Sequence, residues 1–308
     1  MRAVRFHDYG DASVLHIDDI DTPAIGDDQV LVRVVAAATN ILDIALREGQ
    51  MGEAFPGTLP SGQGFDLAGT VVEIGSKVTD FAAGDEVIGW APRQAQADYA
   101  AVDAHELAHK PAAISWAAAA AIPTAGATAY GAVHAVNPQT AETVVVSAAA
   151  GGVGALVTQI VINAGATVIA TAGPANFDFL RCLGAVPVAY CDGLIDRITD
   201  AAPDGVDAYI DNYGDGNVDL ALRLGVRPER INTIIDFAAA QQYGVHAAGR
   251  AEGNDGRIFA ELAHLIAENK LTVPIQATYP VEQVRAAYEE LERRHTRGKI
   301  VLEFDARS

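Results

Sequence analysis

From Thr143 to Phe177 the chain carries no Asp, Glu, Lys or Arg, and a Gly-rich turn interrupts the stretch. Charged side chains are the ones most often left on a surface, so a run without any belongs in a core or a bilayer. It is long enough to span a membrane. However, the turn Ala148-Ala-Ala-Gly-Gly-Val-Gly154 and the pair Ala164-Gly165 cut it into short pieces. Thr-Val-Val-Val-Ser before the turn reads as a strand. The apolar run after it reads as a helix, and Ala-Thr-Val-Ile-Ala-Thr as a second strand. A buried strand–turn–helix–strand unit accounts for the whole stretch.

The texture on either side differs. Residues 1–103 are expected to hold strands at 2–7, 14–20, 29–38, 67–75, 85–90 and 98–103, separated by turns such as Ala83-Gly-Asp85, in a β-barrel-like domain. Ser115 is a candidate N-cap for an Ala-rich helix, and a second uncharged helix is expected at 125–136. From 143 onward strands at 143–147, 167–171, 186–190, 207–211 and 231–235 alternate with helices, the signature of a parallel sheet with crossovers. After Pro274 a short strand, an amphipathic helix at 281–294 and a last strand from Lys299 resemble the beginning again. The expected division is therefore a discontinuous first domain, 1–115 plus 271–308, with an α/β domain at 116–270 inserted into it.

Composition bounds the partners. At 308 residues the chain is long enough for two cores, and its formal charge of -19 would repel a nucleic acid or an anionic membrane. A small-molecule ligand is expected, with neither nucleic acid nor membrane as partner. Two cysteines, Cys182 and Cys191, allow no disulfide framework and no Cys-based zinc site. Together with an N-terminus that lacks a signal-peptide apolar core, they point to the cytoplasm.

The turn reads Ala149-x-Gly151-x-x-Gly154, with Gly152 and Val153 between the last two. A strand before it, and a helix and strand after it, are the context in which such glycines hold a dinucleotide pyrophosphate on backbone N–H groups. The second strand ends Thr171-Ala-Gly173 with no Asp or Glu to hold a ribose 2′-OH. A 2′-phosphate is therefore not repelled, and NADP(H) is favoured. Thr171, Gly173 and Asn176 can bond the adenosine half, Tyr190 can stack on it, and Asn212 stands in the strand end and turn Asp211-Asn-Tyr-Gly-Asp-Gly216 near the cofactor.

Asn40-Ile-Leu-Asp43, Gly64-Phe-Asp-Leu-Ala-Gly69, Gly84-Asp-Glu-Val, the turn 148–154 and Arg297-Gly-Lys-Ile-Val occur in order along nearly the whole chain. Together they resemble the zinc-independent quinone oxidoreductase branch of the medium-chain dehydrogenase/reductase superfamily. The resemblance implies a Rossmann doubly wound parallel sheet inserted into a GroES-like β-barrel catalytic domain. It also implies NADPH in the cleft between the domains, and a homodimer. Where zinc-dependent members place a catalytic Cys this chain has Asn40, where they place a His it has Phe65, and their Cys-rich lobe is missing. The expected metal complement is none.

Hydride arriving at an isolated ketone leaves a full alkoxide, which calls for Zn²⁺ or a Tyr-Lys acid. Neither is available here, since the sequence contains no Tyr-x-x-x-Lys. A quinone or an α,β-unsaturated carbonyl spreads the charge itself, so NADPH-dependent reduction of such an acceptor is the expected activity. Asn40 is the candidate polar group at the reacting carbonyl, unless it merely caps a turn. Thr128 resembles the family's nicotinamide-facing Thr, the alternative being a helix Thr bonded to its own backbone. Lys299 is a candidate to reach the cofactor from the tail, but the favoured reading is a solvated surface Lys. Asp43 is expected to pair with Arg47 at i,i+4. Departures from the family pattern at Ala45, Gln94–Tyr99 and Ala175 keep two alternatives open. One is a dedicated biosynthetic enoyl reductase or redox-linked cyclase, the other a cofactor-binding protein without turnover.

Two motifs are set aside. His105-Glu-Leu-Ala-His109 matches the zincin pattern, but Lys110-Pro111 argues against the helix it needs. Asp211–Gly216 begins like a calcium loop, yet Tyr213 and Leu222 stand where oxygen ligands belong. His134 reads as a satisfied, half-buried histidine.

Overall fold

The computed structural model describes residues 1–52, 57–253 and 255–305. The chain divides into two compact units. The first is Met1–Thr124, Asn254–Asn269 and Val273–Ser308, and the second is Ala125–Gly253 with Lys270–Thr272.

The first unit is organised on strand Gln29–Ala38. One edge of it pairs antiparallel with Asp66–Ile74 along its whole length. The other edge is shared. Gln29–Arg33 pair with Tyr99–Asp103, and Ala36–Ala38 pair with Val301–Glu303 of the last strand. Glu86–Trp90 and Leu107–His109 extend the sheet on one side, and Ile275–Pro280 lies parallel to the last strand on the other. A separate three-stranded sheet joins Leu15–Asp19, Arg2–Phe6 and Ser61–Gly62. The six strands expected in the first hundred residues are present within a residue at each end.

Helix Val284–Glu292 covers this core with Val284, Ala287, Tyr288 and Leu291, all buried. Their i, i+3, i+4, i+7 spacing puts them on one stripe. Two further helices, Trp116–Ala120 and Gly256–Ala267, also lie in the first unit, on the far side of the boundaries expected from the sequence. The reason is close backbone approach. A Cβ on Gly256 would stand 2.0 Å from the Leu107 carbonyl oxygen, so this helix start is seated against the barrel strand. Ser115 caps the first of the two helices, its hydroxyl accepting from Ala118 N at 3.2 Å.

The turn that delivers the last strand depends on Gly298, which has φ +72 and would place a Cβ 2.0 Å from the Pro274 carbonyl oxygen. The Pro274 oxygen also accepts the Lys299 N–H at 2.9 Å. Gly298→Ala is therefore expected to cost about 2–3 kcal/mol, combining left-handed strain with backbone overlap. A urea denaturation midpoint unchanged from the natural chain would contradict this.

The second unit is a five-stranded parallel sheet in the order Val186–Ala189, Thr167–Ala172, Thr143–Val146, Ala208–Asp211, Ile231–Thr233. The chain moves outward from Thr143–Val146 on one side, then returns to add strands on the other. In open sheets of this order ligands bind where the order reverses, beyond the carboxyl ends of the strands. Val144, Val145, Val146, Val168, Ile169, Ala170, Tyr209 and Ile210 are all buried, as expected of strands covered on both faces. The uncharged stretch is thereby explained as strand, helix Gly152–Asn163 and strand. Among the described residues no helix is long and apolar enough to cross a membrane.

His105 lies in a short 3₁₀ turn, Ala104–Glu106, and His109 ends strand Leu107–His109, so the zincin-like motif has no helix. His134 departs from expectation. It is exposed rather than half-buried, with its ring stacked on Tyr130 at 4.3 Å between centroids.

Candidate functional site

In the second unit the Gly-rich turn follows strand Thr143–Val146. Ser147 is buried, Ala148 takes a left-handed conformation at φ 46, and Gly151 is the N-cap of helix Gly152–Asn163. The left-handed residue is thus Ala148, one position before the Ala149 that replaces the fingerprint's first glycine. Ala149 N–H donates to the Thr171 carbonyl at 3.1 Å, which ties the turn to the neighbouring strand. The two glycines differ in kind. A Cβ on Gly154 would lie 2.2 Å from the Ala148 oxygen, whereas one on Gly151 would meet only that oxygen, at 3.3 Å. Gly154 lets the helix seat on the turn, and Gly151 leaves open space in front of it.

No side chain caps this helix, and its first turn holds no acid. The leading N–H groups, those of Gly152 and Val153 among them, have no intrahelical partner and carry the positive end of the helix dipole. A pyrophosphate fits that description.

Around the turn stand the other residues expected from the sequence. Thr171 is buried, and the Gly173 carbonyl accepts the Asn176 N–H at 2.9 Å. Tyr190 is 60% exposed, yet its ring lies 3.6 Å from where a Gly173 Cβ would be, so it stands against that loop as a free stacking face. Arg181 pairs with Asp178 at 2.8 Å on helix Phe177–Cys182. Asn212 donates its side-chain amide to the Ser147 carbonyl at 2.9 Å, and its backbone N–H to the Ser147 hydroxyl at 2.7 Å. Its Oδ1 is buried without a hydrogen-bond partner. Thr128, on helix Pro123–Val136, is 8% exposed and packs its methyl 3.7 Å from the Cβ position of Gly249.

Asp211 holds this edge together. Its carboxylate accepts from Ser147 Oγ at 2.8 Å, Thr233 Oγ1 at 2.8 Å, and the N–H groups of Tyr213 and Gly214 at 3.0 Å. The Asp211–Gly216 segment is a structural knot at the strand end. A buried carboxylate so fully satisfied is stable where it stands.

The first unit contains a second cluster, built on helix Ile41–Arg47. Asn40 is its N-cap, and the Asp43 carboxylate accepts the Asn40 backbone N–H at 2.7 Å. The Asn40 side chain faces the barrel. Its Nδ2 donates to Asp66 Oδ2 at 3.0 Å, and its Oδ1 accepts from Lys299 Nζ. Lys299 also donates to the Thr39 carbonyl at 2.7 Å and stands 3.9 Å from Asp66 Oδ2. Asp66 Oδ1 accepts from Thr124 N at 3.0 Å and Thr124 Oγ1 at 2.5 Å.

Two expectations are corrected here. Lys299 is not a solvated surface residue but is buried, because the last strand carries it into the sheet beside Ala38 and Thr39. Asp43 does not pair with Arg47. Its Oδ2 accepts from Tyr288 OH at 2.9 Å, while Arg47 donates to the Gly10 carbonyl at 3.0 Å and to Glu292 at 2.5 Å. The i,i+4 spacing is right, but partners from the rest of the unit claim both groups. Burial, reinforced by the nearby Asp66 charge, pushes the Asp43 carboxyl up to about 7 against the opposing pull of the Asn40 N–H, the Tyr288 hydroxyl and Lys299. Burial also lowers the Lys299 ammonium, against the attraction of Asp66 and Asp43.

This donor set does not suit zinc. Asn40 spends its carboxamide on Lys299 and Asp66, and Phe65 is a buried ring stacked on Trp90 at 5.5 Å. Both cysteines are exposed in the second unit, and among the described residues no group of three or more His, Cys, Asp or Glu could hold a metal. Ala45 lies on helix Ile41–Arg47, and Gln96, buried in the barrel, donates to Tyr288 OH at 2.7 Å.

Asp66, Tyr288, Ser147 and Asp211 were not singled out as site residues from the sequence. A signal existed for the first: a charged residue inside Phe-Asp-Leu-Ala must be buried and therefore paired. Lys299 in Lys-Ile-Val-Leu carries the complementary signal.

Two family models match the chain, and each runs across the boundary between the two units. The alcohol dehydrogenase GroES-like domain family matches residues 26–174, and the zinc-binding dehydrogenase family matches residues 183–302. The chloroplastic NADPH-dependent alkenal/one oxidoreductase of Arabidopsis thaliana is 31% identical over 98% of this chain and 79% of its own. The solved quinone oxidoreductase of Coxiella burnetii is 31% identical with a TM-score of 0.87, over 98% of this chain and 99% of its own. A mycobacterial protein solved in complex with NADPH is 26% identical with a TM-score of 0.86, over 98% of this chain and all (100%) of its own.

Proposed function

The chain belongs to the quinone oxidoreductase branch of the medium-chain dehydrogenase/reductase superfamily, and from that premise we propose that it reduces a quinone or an α,β-unsaturated carbonyl with NADPH and without a metal. The observation that carries this reading is the open glycine cradle at Gly151, in front of an uncapped helix start. Gly151, Gly152, Val153 and Gly154 hold the pyrophosphate on backbone N–H groups, with Ala149 at the base of the turn. Thr171, Gly173 and Asn176 line the adenosine half, and Tyr190 offers it a stacking face. Asn212, at the strand end beside Ser147, would stand near the cofactor, and Thr128 is assigned to its nicotinamide half. NADPH over NADH is supported by the neutral run Thr171–Ala175, which leaves a 2′-phosphate unopposed.

When bound, NADPH supplies the hydride. The chain's own part is to orient the acceptor and to stabilise the charge that develops on its oxygen. Asn40 is the group assigned to that oxygen, with its second Nδ2–H as the donor. One amide N–H is weak help for a localised alkoxide, but it suffices for an anion delocalised over an enolate or a hydroquinone ring. The unpaired, exposed cysteines support a reducing compartment, and the family resemblance supports a homodimer.

The test is NADPH consumption with a panel of benzoquinones, alkenals and enones, beside saturated ketones as a control. Turnover is expected with the conjugated acceptors only, and unchanged after exhaustive chelation. Loss of activity on chelation, or equal rates with saturated ketones, would overturn the metal-free reading.

A further inference from the structure

Asn40 can work as a donor only if its carboxamide is held in one of its two flips, and the cluster around it decides which. Lys299 has only donors and the Asp66 carboxylate only acceptors. The amide oxygen must therefore face Lys299 Nζ, and the nitrogen must face Asp66 Oδ2, as found. One Nδ2–H is spent on Asp66, and the other is left over. Asn40 keeps 7% of its surface exposed, against 4% for Lys299 and 0% for Asp43 and Asp66, and it shares the edge of the cluster with half-buried Thr124.

From this geometry we infer that Lys299 is a positioning residue, which locks the Asn40 carboxamide in the orientation that presents its free N–H and polarises that N–H with a buried positive charge. The ammonium draws electron density toward Oδ1, which strengthens the N–H as a donor in a low-dielectric setting. Asp66 lies farther from Lys299, at 3.9 Å, than the directly bonded Asn40 Oδ1, and its carboxylate also accepts from Thr124 N, Thr124 Oγ1 and the Asn40 amide. A buried ammonium is expensive to desolvate, and an apolar side chain of similar length would fill the same space at lower cost. Asp66 offsets part of that cost from 3.9 Å, and the hydrogen bond to Asn40 Oδ1 is where the ammonium acts on the carboxamide. The inference rests on the reductase reading for its catalytic meaning, but the orientation of Asn40 does not.

The experiment compares Lys299→Met, Asn40→Ala and the double variant. Lys299→Met is expected to lower kcat about 100-fold, as for removal of one oxyanion donor, with KM for NADPH and for the acceptor within about threefold of the natural chain. Asn40→Ala is expected to lose as much, and the double variant no more than either, since Lys299 acts through Asn40. Losses that multiply in the double variant, or a folded Lys299→Met with unchanged kcat, overturn the proposal. Should Lys299→Met fail to fold because it strands Asp66, the double change Lys299→Met/Asp66→Asn removes both charges together and carries the same expectation. Amide NMR on asparagine-labelled protein supplies a readout free of turnover. The two Asn40 side-chain proton signals are expected to be well separated in the natural chain and to converge in the Lys299 variant. If the natural chain reduces no acceptor the reductase reading fails, while an Asn40 signal indifferent to Lys299 overturns the positioning role by itself.

Discussion

Gly151→Val is expected to leave the chain folded and to lose NADPH binding by at least about 100-fold, which is about 2.7 kcal/mol. Gly154→Ala, a smaller change three residues away, is expected to unfold the Gly-rich turn. The contrast follows from what each new Cβ would meet. At Gly151 φ is -73 and the only neighbour is the Ala148 oxygen at 3.3 Å. A valine there asks that oxygen to give by a few tenths of an ångström, far less than at Gly154, and its methyls fill the space that the pyrophosphate requires. At Gly154 the Cβ would stand 2.2 Å from the Ala148 oxygen and 2.9 Å from Ala148 C and Ala149 Cα, all backbone atoms. Helix and turn would have to part, at a cost of about 3 kcal/mol or more. Calorimetric titration with NADPH beside thermal melting separates the two effects. Natural affinity in a folded Gly151→Val would remove the dinucleotide from this turn, and an unperturbed melt for Gly154→Ala would refute the packing argument.

Asp43→Asn is expected to gain stability relative to the natural chain as pH rises from about 4 to about 7. The unfolded aspartate titrates near its ordinary value of 3.8, whereas in the folded protein burial moves the group to about 7. Between those values the unfolded chain has released a proton that the folded chain keeps, so raising the pH favours unfolding. The slope approaches about 1.4 kcal/mol per pH unit and levels off once the folded group has ionised. An asparagine has nothing to ionise, yet its Oδ1 can still accept the Asn40 N–H. Asp66, Lys299 and Tyr288 face Asp43 in both proteins, so their contributions largely cancel in the difference. Urea midpoints for the pair, taken across that window, give the comparison. A difference that is flat with pH, or that falls as pH rises, would mean that Asp43 is already ionised in the fold.

Much of this site was visible along the chain. The strand before Ser147, the glycines at 151 and 154 and the helix after them are local features. Their meaning depends on periodicity and on backbone freedom within a dozen residues. The same holds for the Asp43–Arg47 spacing, which correctly indicated a helix. It failed to indicate the partners, because Tyr288 and Glu292 lie more than two hundred residues further on. Lys299 was misjudged on the same ground. Nothing nearby in the chain reveals that strand Lys299–Glu303 lies beside Ala36–Ala38 and carries its ammonium to Asn40.

The division into units shows the same limit. Helix Gly256–Ala267 follows a run of β–α alternation and would be assigned to the parallel sheet on that pattern. Contact between Gly256 and the Leu107 carbonyl places it with the barrel instead.

Residue order alone was enough for the two kinds of architecture and for the strand, Gly-rich turn and helix at 143–163, because each depends on neighbours in the chain. Folding was needed to pair Asn40 with Lys299 and Asp66, to bury Asp43 against Tyr288, and to make Ala148 rather than a glycine the left-handed residue. Those are matters of long-range packing and desolvation, in which the energy of a group depends on what surrounds it in space.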